Sequence, residues 1–558
     1  MKHFNLKLLL LFLVPALPLQ AQTIQPVTPP EQEFEELSPL PPLEENLLSP
    51  EATPEIPATV LPIPDKIIIR KFNVVGNTVF SQEEIDKVLK PYTLRFITFT
   101  ELLEAQAALT RLYIENGYIS SGAFIPPQDI EDRVVTIQVI EGMVEDIEIT
   151  GLERLNDEYV RSRLKLATGA PLNRDELLQA LQLLRLDPLI ASVSAELSAG
   201  IHPASSILEV RLQEADAFST RLSYDNYRVP SVGTNRRQVQ VTHNNLLGFG
   251  DRFNVEYTNT DGSDAISDLS YTVPINPYNG TIKLAYNYYD NEIIEEPFDF
   301  LDIKSELNSY EIAYRQPVYQ TPTEDVAVGI SFTRDDSETS LLDRDFRLSR
   351  GASDDGKLNI SALRFFQEYT NRNERQVFAL SSQFSIGIDA FDATTNDGDL
   401  PDSKFFAWRG QVQYLRLLSS NTSLLFRSDL QFSDRPLVAL EQFSLGGAFN
   451  VRGYRQDALL ADNGLFASTE LRTTIITIPK WRTTLQLAPF IDFGTVWNTD
   501  DVSFDKNTLV SVGAGLRLQV SDFLAARIDW GIPLTDIEDS DDTLQENGVY
   551  FSVELRPF

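Results

Sequence analysis

The sequence predicts a chain in two architectural parts, a tandem pair of small α+β modules of βααββ order and then an all-β transmembrane antiparallel barrel of about 16 strands. Three observations predict it. Between residues 66 and 215 one strand–helix–helix–strand–strand grammar runs twice, and Ile147-Glu148-Ile149-Thr150-Gly151 repeats Phe72-Asn73-Val74-Val75-Gly76 at an offset of 75 residues. Beyond Phe218 helical periodicity disappears, and short runs alternate apolar with polar residues. The chain also opens on an export leader, which makes a membrane barrel accessible to it.

The leader is residues 1–21: Lys2, His3 and Lys7 form a basic start, Leu8 to Val14 is unbroken apolar, and Pro15 to Ala21 ends on a small residue. An apolar run that short falls well below the ~20 residues a spanning helix needs, so it reads as a signal peptide. Residues 22–64 hold 11 of the 31 prolines and eight glutamates without one Lys or Arg. Such a segment cannot bury a core and favours extended geometry, so it reads as a solvated tether. Within it, Phe34, Leu37 and the run Glu44 to Leu48 are candidates for a short helix or a docking segment.

The first module, 65–142, opens with a strand over Ile67 to Val75 that Gly76-Asn77 closes. Ser81 with Glu84 and Thr98 with Glu101 have the spacing of capping boxes, so each starts a helix. In the second helix Leu102, Ala105, Leu109, Leu112 and Tyr113 share a face until Gly117 ends it. Strands follow around Gly122 to Ile125 and Arg133 to Ile140. The second module, 143–215, repeats this order, with Asn156 and Asn173 as helix caps and strands near Ala191 to Leu197 and Ile207 to Gln213. Each module places two helices on one face of a small mixed sheet whose edge is open to a visiting strand.

The barrel is 216–558. Leu485, Leu487, Ile491, Phe493 and Trp497 fall on one face, with Gln486, Ala488, Phe490, Asp492 and Gly494 on the other. Leu524, Ala526, Ile528, Trp530, Ile532 and Leu534 face away from Ala525, Arg527, Asp529 and Gly531. Charge opposite a wholly apolar face suits a wall between lipid and a wet lumen. A half-buried soluble sandwich also alternates, but the leader, the helix-free length and the aromatics Trp497, Tyr286, Tyr288 and Tyr289 at strand ends favour the barrel. At the C-terminus Val549, Phe551, Val553 and Leu555 share a face, while Phe558 has the opposite parity.

With no cysteine, and only His3, His202 and His243, the chain offers neither thiolate nor His-cluster metal sites, and no cofactor is expected. Its 47 Lys and Arg against 81 Asp and Glu give a net charge of −34, which excludes nucleic acid as a partner. Loop acids such as Asp335-Asp336 and Asp354-Asp355 read as solvated surface. No G-x-S-x-G, H-E-x-x-H or Walker-type loop occurs, so an enzyme is not expected.

Four motifs carry a family resemblance. Asn116-Gly117-Tyr118-Ile119-Ser120 with Phe124-Ile125-Pro126-Pro127-Gln128-Asp129 and Val139-Ile140-Glu141-Gly142 resembles the first POTRA module of two-partner secretion transporters, the haemolysin and filamentous-haemagglutinin exporters. Leu246-Leu247-Gly248-Phe249-Gly250-Asp251 is similar to an early barrel strand of that family. Val451-Arg452-Gly453-Tyr454 and Phe490-Ile491-Asp492-Phe493-Gly494 resemble the VRGY loop and the F-x-D-x-G strand of the wider outer-membrane assembly superfamily. The resemblance implies two POTRA domains in the periplasm, a 16-stranded outer-membrane barrel, and secretion of a long β-helical partner. The proline content of 22–64 departs from the N-terminal plug helix common in the family.

The expected function is export of an unfolded exoprotein without nucleotide hydrolysis. An insertase of the same superfamily and a passive porin are the alternatives, and the porin leaves the two modules idle. Besides the exoprotein, the expected partners are outer-membrane lipid, the barrel assembly machinery and periplasmic chaperones, and the protein is expected to act as a monomer. The candidate site is the loop Val451, Arg452, Gly453 and Tyr454 with Asp492, next to the lumen-facing charges Arg527 and Asp529. Arg452 reaches Asp492 if the loop folds back into the lumen, and active gating and structural locking are both open roles. Gly446, Gly447 and Gly453 read as loop flexibility, and Tyr454 as packed in the loop or touching the passing chain.

Overall fold

The computed structural model describes residues 37–41, 47–49, 66–500, 502, 504–537 and 543–557. The leader, Phe34, the stretch 42–46 and Phe558 lie outside the described residues.

The first module comprises β1 (Lys71–Val75), α1 (Gln82–Leu89), α2 (Phe99–Glu115), β2 (Gly122–Phe124) and β3 (Val134–Ile140). Both capping boxes form: Ser81 and Thr98 each accept from the backbone three residues on, and Glu84 and Glu101 reach back. This satisfies amide groups that a helix start otherwise leaves unpaired. Strand β3 is central, parallel to β1 and antiparallel to β2. Phe72, Ile85, Leu89, Leu102, Leu109, Tyr113, Val135 and Ile137 make the core. The predicted single strand over Ile67 to Val75 is broken. Ile67–Ile68 pairs with Phe96–Ile97 instead of continuing into β1, because buried Ile69 turns into the core between the two stretches.

The second module comprises β4 (Met143–Thr150), α3 (Asp157–Lys165), α4 (Arg174–Arg185), β5 (Ile190–Ala199) and β6 (Ser205–Glu214). Asn156 and Asn173 cap the helices as expected. Here the edge is not fully open, which corrects the expectation for this module. Leu48–Ser49 of the tether pairs in parallel with β5, Leu48 opposite Ala195 and Ser49 opposite Glu196. The Ala195 amide donates to the Leu47 carbonyl at 2.9 Å, and Leu47 is buried in the module's core. Farther up the tether, the Leu40 amide donates to the Asn373 carbonyl at 3.1 Å, and Leu37 packs on Val377, Leu415 and Leu425. The tether thus docks in two places, in extended form.

Sixteen antiparallel strands close the barrel: β7 (Phe218–Asp225), β8 (Arg236–Asn244), β9 (Arg252–Asn259), β10 (Ser263–Pro274), β11 (Thr281–Glu292), β12 (Ile303–Gln320), β13 (Glu324–Leu341), β14 (Lys357–Arg372), β15 (Gln376–Gly387), β16 (Phe406–Ser419), β17 (Thr422–Ser433), β18 (Asn463–Ile478), β19 (Thr483–Trp497), β20 (Thr508–Val520), β21 (Leu524–Pro533) and β22 (Val549–Leu555). Each strand pairs with its sequence neighbours, and Leu222 to Asp225 pair with Ser552 to Leu555 to close the ring. Closure removes every free barrel edge, which is what allows a sheet to sit in lipid. The faces follow the predicted parity, with Ile491, Phe493, Ile528 and Trp530 exposed outward and Asp492 and Asp529 buried inward.

Two details differ from expectation. Tyr286, Tyr288 and Tyr289 lie within β11 rather than at its end, and Tyr289 points inward beside Ala265 and Leu307. Asp335 and Asp336 belong to β13, not to a loop, and Arg334 lies 2.6 Å from Asp336. Polar residues read as a loop are here strand residues on alternating faces, with Asp336 on the same face as Arg334 and Asp335 on the other.

The barrel meets the second module at the turn 245–251. The Asn156 amide donates to the Gly248 carbonyl at 2.8 Å, and Arg163 Nε donates to Asn279 at 2.8 Å in the next periplasmic turn. A side chain on Gly250 would strike the Tyr159 ring at 2.3 Å, so this position must be glycine for the module to approach. Asp251 shapes the turn from within, accepting from the amides of Leu247 and Phe249 and from the Tyr271 hydroxyl.

Candidate functional site: the loop lock in the lumen

The loop between β17 and β18, residues 434–462, turns back into the barrel. Its stem is a short hairpin, Phe443–Leu445 against Leu459–Ala461. Asn450 Oδ1 accepts from the amides of Gly446 and Val451 at 2.7 and 2.6 Å, tightening the tip. Val451 anchors it in an apolar cluster of Phe443, Leu445, Tyr454, Phe466, Val496 and Leu509. Gly453 adopts φ +104°, and its backbone lies against Gly531 of β21 so closely that a Cβ on Gly531 would sit 2.6 Å from the Gly453 nitrogen. Two glycines back to back let the loop reach the wall.

That approach delivers Arg452, which is fully buried. Its Nε and Nη2 donate to Asp492 Oδ2 and Oδ1 at 2.8 and 3.0 Å, a bidentate fork. The Arg452 backbone amide donates to the same carboxylate at 3.2 Å. Nη1 donates to Glu470 Oε2 at 2.6 Å, and the guanidinium lies 3.4 Å above the Phe490 ring. Asp492 also accepts from Ser468 at 2.6 Å. Strand register explains the convergence, since Ser468 faces Asp492, Glu470 faces Phe490, and Gly515 faces Asp529 across β18 to β21.

Arg527 and Asp529 join the same cluster. Arg527 donates to Asp529, whose Oδ1 is 2.8 Å from Arg517 and 3.7 Å from Arg452. Arg517 and Arg472 reach Glu470 at 3.1 and 2.7 Å. Four guanidinium groups therefore interleave with three carboxylates, each charge facing opposite charges. In a water-poor site this matters, because a buried charge without a partner is strongly destabilising. All of the sequence-predicted site residues are brought together. Sequence reasoning missed Glu470, Arg472 and Arg517 and the role of Phe490. Inward parity along β18 and β20 was the available signal.

Tyr454 fastens the loop to the wall. Its hydroxyl donates to the Val510 carbonyl at 2.8 Å and accepts from the Thr535 amide at 3.1 Å. The Tyr550 hydroxyl of β22 accepts from the Gly453 amide at 3.0 Å and donates to the Tyr454 carbonyl, which ties the tip to the last strand. Gly446, Gly447 and Gly453 all have positive φ, so they set turn geometry. The arrangement is one of positioning and charge pairing. Among the described residues no group of three His, Asp or Glu is placed to hold a metal ion.

At the periplasmic face Glu214 accepts from the amides of Glu153, Arg154 and Leu155 at 2.7, 2.9 and 2.8 Å, holding the second module's first loop beside the barrel entry. Burial pushes its carboxyl up, but the three amide donors outweigh burial and keep it below the usual carboxylate range. In the first module Gln128 of the Pro-Pro-Gln-Asp motif exchanges two amide bonds of 2.7 Å with Thr136, standing in for a strand where β2 has ended.

Residues 204–518 match the family model of haemolysin secretion/activation proteins of the ShlB/FhaC/HecB type. Residues 67–142 match the ShlB-type POTRA domain, and 143–203 match the POTRA model described as a surface antigen variable number repeat. The chain is 24% identical over 504 residues to the outer membrane transporter CdiB of Escherichia coli, covering 86% of this chain and 82% of that protein. It is likewise 24% identical over 471 residues to the heme/hemopexin transporter protein HuxB of Haemophilus influenzae, covering 81% and 80%. The solved structure of CdiB from Escherichia coli superposes with a TM-score of 0.69 at 21% identity, covering 91% of this chain and 92% of that one.

Proposed function

The chain belongs to the ShlB/FhaC/HecB family of haemolysin secretion/activation proteins, and on that premise we propose that it exports a large, unfolded, β-helical exoprotein from periplasm to cell surface through the outer membrane. The observation that carries this reading is a closed barrel whose lumen holds the VRGY loop on Asp492, fed from below by two POTRA modules. A porin has no use for those modules. The working division is signal peptide 1–21, tether 22–64, POTRA modules 65–142 and 143–215, and barrel 216–558. Outer-membrane lipid surrounds the barrel, the barrel assembly machinery and periplasmic chaperones deliver it, and it works as a monomer.

The physical steps need no nucleotide. An extended chain gains main-chain hydrogen bonds on a POTRA edge with little demand on its sequence. Polar inward residues let its backbone pass without losing all its partners. Folding outside biases the net direction. In this scheme Arg452 and Asp492 hold the loop in one position, and export requires the loop to have that defined seat.

Deletion of Asp65 to Ala215 tests the reading. Each module has its own core, so the barrel should still insert and conduct in planar bilayers, while secretion of the partner exoprotein is abolished. Normal secretion by the deletion strain would return the protein to passive diffusion.

A further inference from the structure

Strands β14 and β15 pair up to Ala362 opposite Gly387, and the ladder then continues past the end of β15. The Ile388 amide donates to the Ser361 carbonyl and the Thr394 amide to the Asn359 carbonyl, both at 2.8 Å. Ser361 and Asn359 are neighbours on one face of β14, yet five residues separate Ile388 from Thr394. Residues 389–393 are therefore extruded from the sheet. They lie on its outer surface, because Ser361 and Asn359 share the parity of lipid-facing Leu363 and Phe365 and hold the turn with their side chains. The Ser361 hydroxyl donates to the Ala390 carbonyl at 2.9 Å, and Asn359 Nδ2 to the Asp392 carbonyl at 3.3 Å. At the tip, Phe391 and Asp392 both take φ +57°, a left-handed conformation that bulky side chains rarely adopt, and Phe391 is 70% exposed.

We propose that this turn is a lipid hook, with Phe391 inserted among the acyl chains of the outer leaflet, those of lipopolysaccharide. The loop it belongs to joins β15 to β16 at the end of the barrel opposite the 373–375 turn of the periplasmic mouth, so it faces the cell surface. The Phe391 ring meets Phe332 of β13 edge-on, centroids 5.5 Å apart. Strand register places Ile312, Phe332, Leu363, Ile386 and Phe406 on one level across β12 to β16, an unbroken outward apolar row. Phe332 is the last apolar residue on the outer face of β13, where Arg334, Asp336 and Glu338 follow. At about 3.3 Å per residue and a tilt near 40°, it stands roughly 20 Å above the periplasmic end of its strand, near the top of an apolar band about 25 Å tall. The hook thus continues an established lipid-facing surface at its upper margin.

One level higher the wall itself turns polar. Arg334 Nη1 donates to the Ser361 hydroxyl at 3.1 Å, and Nη2 lies 2.6 Å from Asp336. The extruded turn covers Ser361 and sets an aromatic ring where the strands offer none, as the aromatic girdles of such barrels do. A left-handed phenylalanine gains nothing in water to offset its backbone strain, whereas burial of its ring in hydrocarbon does offset it. Asn396 Nδ2 of the same loop donates to the Gly351 carbonyl at 2.8 Å, so a seated hook also steadies the neighbouring loop 342–356. The hook serves the seating of the barrel and needs no exported chain.

The test places the photoreactive residue benzoylphenylalanine, which keeps an aromatic ring, at position 391 of the full-length protein and irradiates intact cells. Position 330, lipid-facing on β13, and position 354, fully exposed in the neighbouring loop, are the controls. Adducts with lipopolysaccharide should form at 391 and 330 and not at 354. Lipid adducts at 330 without any at 391, or a protein adduct at 391, whether with a second copy of this chain or with another protein, would overturn the proposal. A second measurement turns on a sign. Asparagine tolerates the left-handed region better than phenylalanine, so if the turn is held by its backbone alone, Phe391→Asn should slow hydrogen exchange of the Thr394 amide. If the ring is held in lipid, the same variant in lipid vesicles should exchange several-fold faster than wild type, and Phe391→Trp should keep wild-type protection. Slower or unchanged exchange in Phe391→Asn would sink the hook.

Discussion

Midway up the barrel wall Arg452 is wholly enclosed and faces carboxylates from β18, β19 and β21, whereas at the periplasmic mouth Leu40 is held by one backbone hydrogen bond and Leu37 by three apolar side chains. Unseating the first contact strands several buried charges at once. Unseating the second exposes two leucines. The contact at the periplasmic mouth is therefore the weaker of the two.

The largest expected effect tests the outer contact. Arg452→Ala leaves Asp492 and Glu470 without their shared cation, at a cost of about 3 to 5 kcal/mol. Secretion should collapse while the amount of folded barrel, read by heat-modifiable gel mobility, falls much less. Arg452→Lys should rescue only in part, since it keeps the charge and loses the fork. Full export by Arg452→Ala would erase the contrast between the two ends.

Next in size is the wall they share. Ile528→Arg on the lipid face should destabilise the barrel by about 2 to 4 kcal/mol, and Gln486→Arg on the inner face should be tolerated, as measured by folding into lipid vesicles. Equal tolerance on both faces would dissolve the distinction between lumen and lipid.

A smaller effect comes from pH at the module joint. Glu214 has its carboxyl held below the usual range, so its contribution to the joint is present above the unfolded value and is lost as pH falls through the lowered folded value. Protection of the amides at 153–155, measured against their intrinsic exchange rate at each pH, should be high at neutral pH and fall in acid. Glu214→Gln should flatten that dependence.

The smallest is Leu37→Ala, worth about 1 kcal/mol or less for a partly buried side chain. It should leave barrel stability unchanged and raise single-channel conductance by loosening the mouth. Loss of folded barrel in this variant would mean that the tether supports the wall instead of resting on it.

Much of this was legible beforehand. Ser81 with Glu84 and Thr98 with Glu101 announced their helices because capping is local chemistry, and Asp492, Arg527 and Asp529 could be turned inward by counting twos. What local sequence does not carry is register between distant strands. Glu470 meets Arg452 because β18 lies beside β19 in one alignment, and nothing near residue 470 states that alignment. The same blindness placed Tyr289 at a strand end and Asp335 in a loop. The tether's strand was hidden for another reason, since two residues of pairing in a proline-rich stretch leave no periodicity to read.

The sixteen strands are also unequal in length. Around the closing pair, β21, β22, β7, β8 and β9 run ten, seven, eight, nine and eight residues, while β12 and β13 on the far side run eighteen each. At about 3.3 Å per residue and a tilt near 40°, an eight-residue strand stands roughly 20 Å tall and an eighteen-residue strand roughly 45 Å, against an apolar band of about 25 Å. The short side cannot fill the hydrocarbon, whereas the tall side spans it and continues past it into water. Lipid around this protein must therefore pinch in beside the closing strands and stay unstrained opposite them, at a fraction of a kcal/mol for each Å of mismatch. The molecule carries its own asymmetric dent in the bilayer, and neighbouring proteins and lipopolysaccharide will meet two different membranes depending on the side from which they approach.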